Sequence, residues 1–301
     1  MVGNSCDVRL IDEFVPGAIE VGAMDGLKAY GVSDRSAPAG RPSEICEQIA
    51  VRGFGVLEAV LSAAEVASLN ERLEEVYLRQ CEEVAGEDAL QRLNDRDIVR
   101  CPLAYHPEFL RLATHPSLLE IPKFLLGGNV LLLMQNGVIN RPDRVQAQTG
   151  WHRDLNYQHW VSSKPLAVSA LVCLEDFNLE TGGTAFLPSS HKFEAFPSEQ
   201  LVVNSQYVPN VPAGSIIFFD AMTFHRAGIN NSGRIRRAIN HVIGIPILAQ
   251  QISIPSMMND PPEDPFLRGY LGYRWSPSPS VQAWRQSKLA ALEVPSLRRE
   301  I

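Results

Sequence analysis

The spacing of hydrophobic positions changes near the middle of the chain, from a helical period to a strand-like one. From Pro42 to about Cys81, Leu57, Val60, Leu61, Val66, Leu69, Leu73 and Val76 recur mostly three or four residues apart, which gathers them on helix faces. Inside that stretch Gly53-Phe-Gly-Val-Leu57 reads as a short strand bounded by glycines. Ser62-Ala-Ala-Glu65 has the capping-box spacing, so a helix is predicted from Ser62 through Leu78. A second helical region is predicted over 107–126, with Phe109, Leu110, Leu112, Leu118, Leu119, Ile121 and Phe124 on its apolar face. Gly127-Gly128 ends it.

Beyond Gly128 the pattern becomes short apolar runs at 130–139, 166–174, 184–188, 201–208, 215–219 and 236–248. Turn signals at Glu180-Thr-Gly-Gly183, Pro212-Ala-Gly214 and Asn230-Asn-Ser-Gly233 separate some of them. Helices in one half and many short strands in the other predict an α+β domain built on a β-sandwich or jelly roll. Residues 1–42, rich in Gly, Pro, Ser and Asp around Ala37-Pro-Ala-Gly40, read as an N-terminal arm, and 43–301 as a single domain. A last helix is predicted over 278–292, after Pro-rich loops.

Composition narrows the function classes. The 301 residues carry 27 Lys+Arg against 34 Asp+Glu, a net charge of −7, and 45% are hydrophobic, as in ordinary globular proteins. The acidic balance and the lack of a Lys/Arg block argue against nucleic-acid or anionic-membrane partners; Arg234, Arg236 and Arg237 form the one basic cluster. No apolar run approaches the ~18 residues that span a bilayer, and the first twenty residues lack the pattern of a secretory signal, so the cytoplasm is the expected compartment. Five scattered cysteines with no C-x-x-C pair predict neither a disulfide framework nor a cysteine zinc site.

The chemistry concentrates in Gly150-Trp-His-Arg-Asp154. On an extended backbone His152 and Asp154, two residues apart, leave the same face and can converge on one ion. Imidazole plus carboxylate suits a divalent transition metal, and His225, just past the apolar run Phe218-Phe219, supplies a third ligand. Two His and one carboxylate on one side of a metal form the facial triad of non-haem iron(II) oxygenases, which leaves positions open for co-substrate and oxygen. Arg236 lies eleven residues after His225 and opens a strand on which Arg236, Ala238, Asn240 and Val242 share one face. A hairpin is expected to put His225 and Arg236 on neighbouring strands, where a guanidinium could grip a carboxylate that also chelates the metal. Arg234 and Arg237 are read as solvated turn charges.

These pieces resemble the phytanoyl-CoA dioxygenase family of iron(II)- and 2-oxoglutarate-dependent oxygenases. The likeness rests on Trp151-His-Arg-Asp154, on Glu180-Thr-Gly-Gly-Thr-Ala-Phe-Leu-Pro-Ser-Ser-His191, and on His225 followed by Asn230, Ser232, Arg236 and Arg237 at the family's spacing. With Gly53–Leu57 before the capped helix it covers roughly residues 45–248. The resemblance implies a double-stranded β-helix, or jelly roll, of cupin type, with helices packed on one sheet. It also implies that His152, Asp154 and His225 bind Fe(II) and that Arg236 pairs with the distal carboxylate of 2-oxoglutarate. O2 would oxidise a small organic molecule, by hydroxylation, desaturation or a related reaction, with release of succinate and CO2. Halogenating relatives replace the carboxylate ligand with a small residue, so Asp154 argues against halogenation. Where the family usually has Gly-Ser after the distal histidine this chain has Arg226-Ala227, and Asn136 or Asn140 is expected to compensate for the missing hydroxyl.

His106 and His115, each before a proline, read as helix-boundary residues, and His191 as structural. Tyr157, His159 and Trp160 are the candidate substrate-binding residues. Together with Phe266, Tyr270, Tyr273 and Trp275 they suggest aromatic walls suited to a compact, mostly apolar substrate and not to an acyl-CoA thioester, whose phosphates would want a basic surface. Two rival readings remain at this point: a cupin-like metal-dependent isomerase or hydrolase, and a catalytically degenerate small-molecule binding module. The sequence leaves the oligomeric state open.

Overall fold

A computed structural model of the chain describes residues 39–293 except residue 259, so the arm expected over 1–42 lies almost wholly outside the described residues. The first half contains α1 (Arg41–Arg52), β1 (Phe54–Leu57), α2 (Ala63–Glu83), α3 (Glu87–Arg92), β2 (Ile98–Arg100), α4 (Pro107–Ala113) and α5 (Pro116–Leu126). The strand-rich part follows with β3 (Leu131–Asn140), β4 (Ala167–Cys173), β5 (Ala185–Phe186), α6 (Glu199–Ser205), β6 (Ile216–Asp220), β7 (His225–Arg226) and β8 (Arg236–Gly244). Short α7 (Ile254–Met257) and α8 (Pro265–Tyr270) and then α9 (Val281–Glu293) complete the described chain.

Local signals decide several boundaries. The capping box forms as spaced: Ser62 Oγ accepts from the Glu65 amide and Glu65 returns a carboxylate to the Ser62 amide at 2.8 Å. Buried Val66, Leu69, Leu73, Val76 and Tyr77 then place one face of α2 against the sheet. The second helical region divides into α4 and α5 because each starts at a His-Pro pair. His106 and His115 accept a hydrogen bond from the amide two residues on, and proline at the first helical position gives up no hydrogen bond.

Six strands form an antiparallel sheet in the order β1-β6-β4-β8-β3-β2, and β5 pairs with β7 in a second one. Single bridges extend the second sheet, Tyr207 to Phe186 on one side and His152 to His225 on the other. This is the jelly-roll layout. Strict alternation gives the large sheet two different faces. Val168, Ala170 and Val172 of β4 and Ile239 and Ile243 of β8 pack under the helices with Leu73, Phe109 and Leu118. Leu171, Cys173 and Ala238 turn inward, where they meet Phe54, Phe186, Ile217 and Phe219 between the sheets.

Two expectations fail. Residues 201–208 are not a strand: Ser198 caps α6 by accepting from the Leu201 amide, only Val202 of the helix is buried, and Tyr207 keeps a single bridge. Leu201 and Val203 on either side of Val202 are about half exposed. Nor do His225 and Arg236 share a hairpin. β7 belongs to the small sheet, while β8 lies between β4 and β3 in the large one, so the two residues sit on different sheets. α3 and β2 carry too few apolar residues to show a period.

A buried polar network ties the helices to the sheet. His241, with no exposed surface, donates from Nδ1 to the Ala170 carbonyl at 3.3 Å and its Nε2 lies 2.8 Å from the Gln135 amide nitrogen. Gln135 also donates to the Phe109 carbonyl and accepts from the Leu103 amide. The ring accepts at Nε2 only when neutral, and burial lowers its pKa to about 4. Because the folded value lies below the unfolded one, this contribution is complete above pH ~6.5 and is lost as the pH falls through 4. His191 and His225 are lowered to about 4 with the same sign, and Asp220, raised by burial to about 6, works in the opposite sense. Chemical denaturation at pH 7, 6, 5 and 4 should therefore show falling stability, and His241→Gln should reduce the slope by up to one proton, about 1.4 kcal/mol per pH unit. Equal slopes would show that His241 does not carry the effect.

Candidate metal centre and anion pocket

His152 and His225 lie opposite each other in the backbone, exchanging both N–H···O bonds at 3.0 Å, so their side chains leave one face and their rings sit 4.3 Å apart. The Asp154 amide donates to the Ala221 carbonyl, which keeps the segment extended and brings the carboxylate to the same side. One ligand atom from each of the three residues lies within 4.8 Å of the others, and His225 Nε2 is 3.6 Å from Asp154 Oδ1.

Backbone carbonyls fix the imidazole tautomers. Nδ1 of His152 lies 2.9 Å from the Gly150 carbonyl and Nδ1 of His225 lies 3.0 Å from that of Thr223. A carbonyl can only accept, so each Nδ1 carries the proton and each Nε2 lone pair is left for a metal. Burial, followed by the nearby His152, pushes the His225 pKa down to about 4, which keeps that ring neutral at neutral pH.

Asp154 is held by one oxygen. Ser169 Oγ and Asn240 Nδ2 both donate to Oδ2, at 2.5 and 3.1 Å, leaving Oδ1 to face the histidines. Neither residue stood out in the sequence, although Ser169 is a polar residue at an inward position of an otherwise apolar strand and Asn240 shares the inward face of β8 with Arg236. Ser169→Ala, which leaves Oδ2 with one donor, should weaken metal binding by roughly 10- to 100-fold while the fold persists. Competition with a metal chelator measures this, and an unchanged affinity would remove Ser169 from the account.

Arg153, also unassigned by the sequence reading, points away from the cage and fastens it. Its guanidinium donates to the carbonyls of Met222, Glu194, Phe193 and Ser190 and lies 3.9 Å from the Phe224 ring centre. The residue between two candidate ligands thus ties their segment to both neighbouring loops.

Arg236 is 2% exposed and donates to the Gly182 carbonyl at 2.6 Å, with its guanidinium 4.5 Å from the Phe177 ring centre. Burial lowers its pKa to about 10, so it remains charged at neutral pH. Its Nε has no partner, and among the described residues no carboxylate stands within ion-pair distance of it. A buried, unmatched guanidinium is costly, and a carboxylate ligand of the right shape would match it. Gly182 is required beside it: at φ +69° a Cβ would lie 2.7 Å from the Gly228 carbonyl oxygen. Asn140, opposite Arg236 across β3 and β8, donates to the carbonyls of Gly182 and Gly228. Asn136, opposite Asn240, is bound instead to Gln251, 3.0 Å away. Arg234 is exposed, as expected of a turn charge, whereas Arg237 forms ion pairs with Glu74 and Glu175.

The candidate substrate residues are not gathered here. Tyr157 is 91% exposed, Trp160 52%, and His159 is exposed too, all on the loop after Asp154. Tyr270 is wholly buried in the helix-side core, donating to the Ala113 carbonyl and stacked on Phe266, so those two aromatics are core and not pocket wall. Tyr273 packs against the same core, and Trp275 alone of the four reaches the inner face of the sheet. His191, buried against the Ala50 carbonyl, is structural.

The sequence profile described as Phytanoyl-CoA dioxygenase (PhyH) matches residues 50–238, more than half of the chain. The chain belongs to the phytanoyl-CoA dioxygenase family. It is accordingly an iron(II)- and 2-oxoglutarate-dependent dioxygenase. An uncharacterized protein of Mycobacterium tuberculosis is 29% identical over 215 residues, covering 69% of this chain and 77% of that protein. Ectoine dioxygenase of Stutzerimonas stutzeri is 26% identical over 231 residues, covering 66% and 76%. The solved structure of EctD from S. alaskensis, with 2-oxoglutarate and 5-hydroxyectoine, is 21% identical with a TM-score of 0.57, covering 70% and 79%; it shares the fold. In this family member the free donors of His152, Asp154 and His225 suit iron(II), and the unmatched Arg236 suits a dicarboxylate. No helix among the described residues is long and apolar enough to cross a membrane.

Proposed function

We propose that His152, Asp154 and His225 hold the iron(II), that Arg236 receives the remote carboxylate of 2-oxoglutarate with Asn140 beside it, and that a compact, mostly apolar metabolite is oxidised there. Iron(II) with bound 2-oxoglutarate and O2 supplies the oxidising chemistry, and the co-substrate leaves as succinate and CO2. The residues of the chain do the positioning. Gly150 and Thr223 set the imidazole tautomers, Ser169 and Asn240 hold Asp154 to one oxygen, and the Gly182 carbonyl orients the Arg236 fork.

One observation carries the reading: a charged guanidinium is buried without a carboxylate on β8, the same strand and face whose Asn240 steadies the cage. A metal-dependent isomerase or hydrolase whose substrate carries no anion would leave this group unmatched. The substrate class is tested by measuring substrate-stimulated succinate formation across acyl-CoA thioesters, free acids, amino acids and polycyclic metabolites. Stimulation by compact apolar compounds is expected, and selective coupling to an acyl-CoA would overturn it.

A further inference from the structure

Along β8 the inward residues change in character, from Arg236 through Ala238 and Asn240 to Val242. Residues two apart on a strand are separated by roughly 7 Å, so Val242 is one step beyond the residue that binds Asp154. Val242 packs with Leu133, Ala167 and Ala221, each no more than 5% exposed, and half-buried Met134 and Leu155 border them. A bulge in β3 between Leu132 and Met134 adds Leu133 to this face. Ala221 and Leu155 also touch the cage, one through its carbonyl to the Asp154 amide and the other by following Asp154 in sequence. Along β8, Asn240 thus stands between a buried cation and a closed apolar cluster, and half-buried Met134 and Leu155 form an open edge of that cluster.

One polar atom between them is unmatched. Asn240 commits Nδ2 to Asp154, and its Oδ1 is buried with no partner. An amide oxygen can only accept, and an unmet buried acceptor costs free energy. 2-Oxoglutarate, a dianion at neutral pH, has no hydrogen to donate, so it cannot satisfy this atom. Resting on the reading above, we propose that half-buried Met134 and Leu155, at the open edge of the apolar cluster, seat the substrate and that Asn240 Oδ1 accepts a hydrogen bond from a hydroxyl or N–H that the substrate carries. The substrate class narrows to compact, hydrocarbon-rich molecules with a donor near the carbon oxidised.

Equilibrium dialysis of the iron(II)- and 2-oxoglutarate-loaded chain under nitrogen tests this with two matched series: bornane, camphor and borneol, and naphthalene with 2-naphthol. The donor-bearing member should bind roughly two- to tenfold more tightly than its hydrocarbon, and camphor, which only accepts, should gain nothing. Asn240→Leu should erase the preference but keep hydrocarbon binding, while Met134→Asp should weaken both. Ser169→Ala, which loosens Asp154 without touching Asn240 Oδ1, should keep the preference, and so separates substrate recognition from metal positioning. No binding by either series, or a preference that survives Asn240→Leu, would overturn the proposal. Iron and 2-oxoglutarate retained in the same samples report separately on the reading beneath it.

Discussion

Alanine in place of His152 or His225 is expected to abolish turnover and to strip the iron. Each substitution removes one of the three ligand atoms that lie within 4.8 Å of one another. The loss should exceed the roughly 10- to 100-fold expected when only a hydrogen-bond partner of a ligand is removed. The fold should survive, because the bond between the two residues is made by their backbones, which alanine retains. Metal analysis of the purified variants, with circular dichroism as the control, reads the outcome. Full iron occupancy and activity in either variant would show that the ligand set is wrong.

Arg236→Ala should raise the requirement for 2-oxoglutarate steeply while leaving iron binding nearly intact. Removing a charge-assisted pair from a shielded site costs ~2–5 kcal/mol, which is roughly 30-fold to several thousand-fold in affinity. Titration of 2-oxoglutarate against wild type and variant measures it. Equal affinities would transfer the role to a neighbouring arginine, although Arg237 is already paired with Glu74 and Glu175 and Arg234 is exposed. The effect should not be an unfolding artefact: Arg236 has no ion-pair partner among the described residues, so Arg236→Met, of similar bulk, should melt no lower than wild type.

The elements legible in the sequence are those governed by local rules. The Ser62–Glu65 box, the His-Pro helix starts and the Gly53–Leu57 strand depend on neighbours within a few residues, and the structure has each of them. The His152-x-Asp154 spacing was legible because alternation along an extended chain fixes which side chains share a face. Its support was not. Ser169 and Asn240 reach Asp154 from strands 15 and 86 residues away, and Arg153 finds its carbonyl partners up to 69 residues on, contacts that no local spacing encodes. The apolar run at 201–208 gave the wrong element because Ser198 starts a helix whose apolar side chains remain largely in solvent. Aromatic content misled similarly: Tyr270 serves the core, and the aromatic rings that pack against the cage are Phe219 and Phe186, 4.7 and 6.0 Å from the His225 ring. The expected hairpin failed because His225 and Arg236 lie on strands of different sheets and share no ladder.

The central claim is that this cage and this buried guanidinium together make an iron- and 2-oxoglutarate-dependent centre. Its most direct test is succinate formation by the purified chain with iron(II), 2-oxoglutarate and O2 each withheld in turn, run beside His225→Ala and Arg236→Ala. The account predicts succinate only when all three are present, none from His225→Ala, and a signal from Arg236→Ala that returns only at far higher 2-oxoglutarate. Succinate that persists without one of the three, or that is unchanged in either variant, would contradict it.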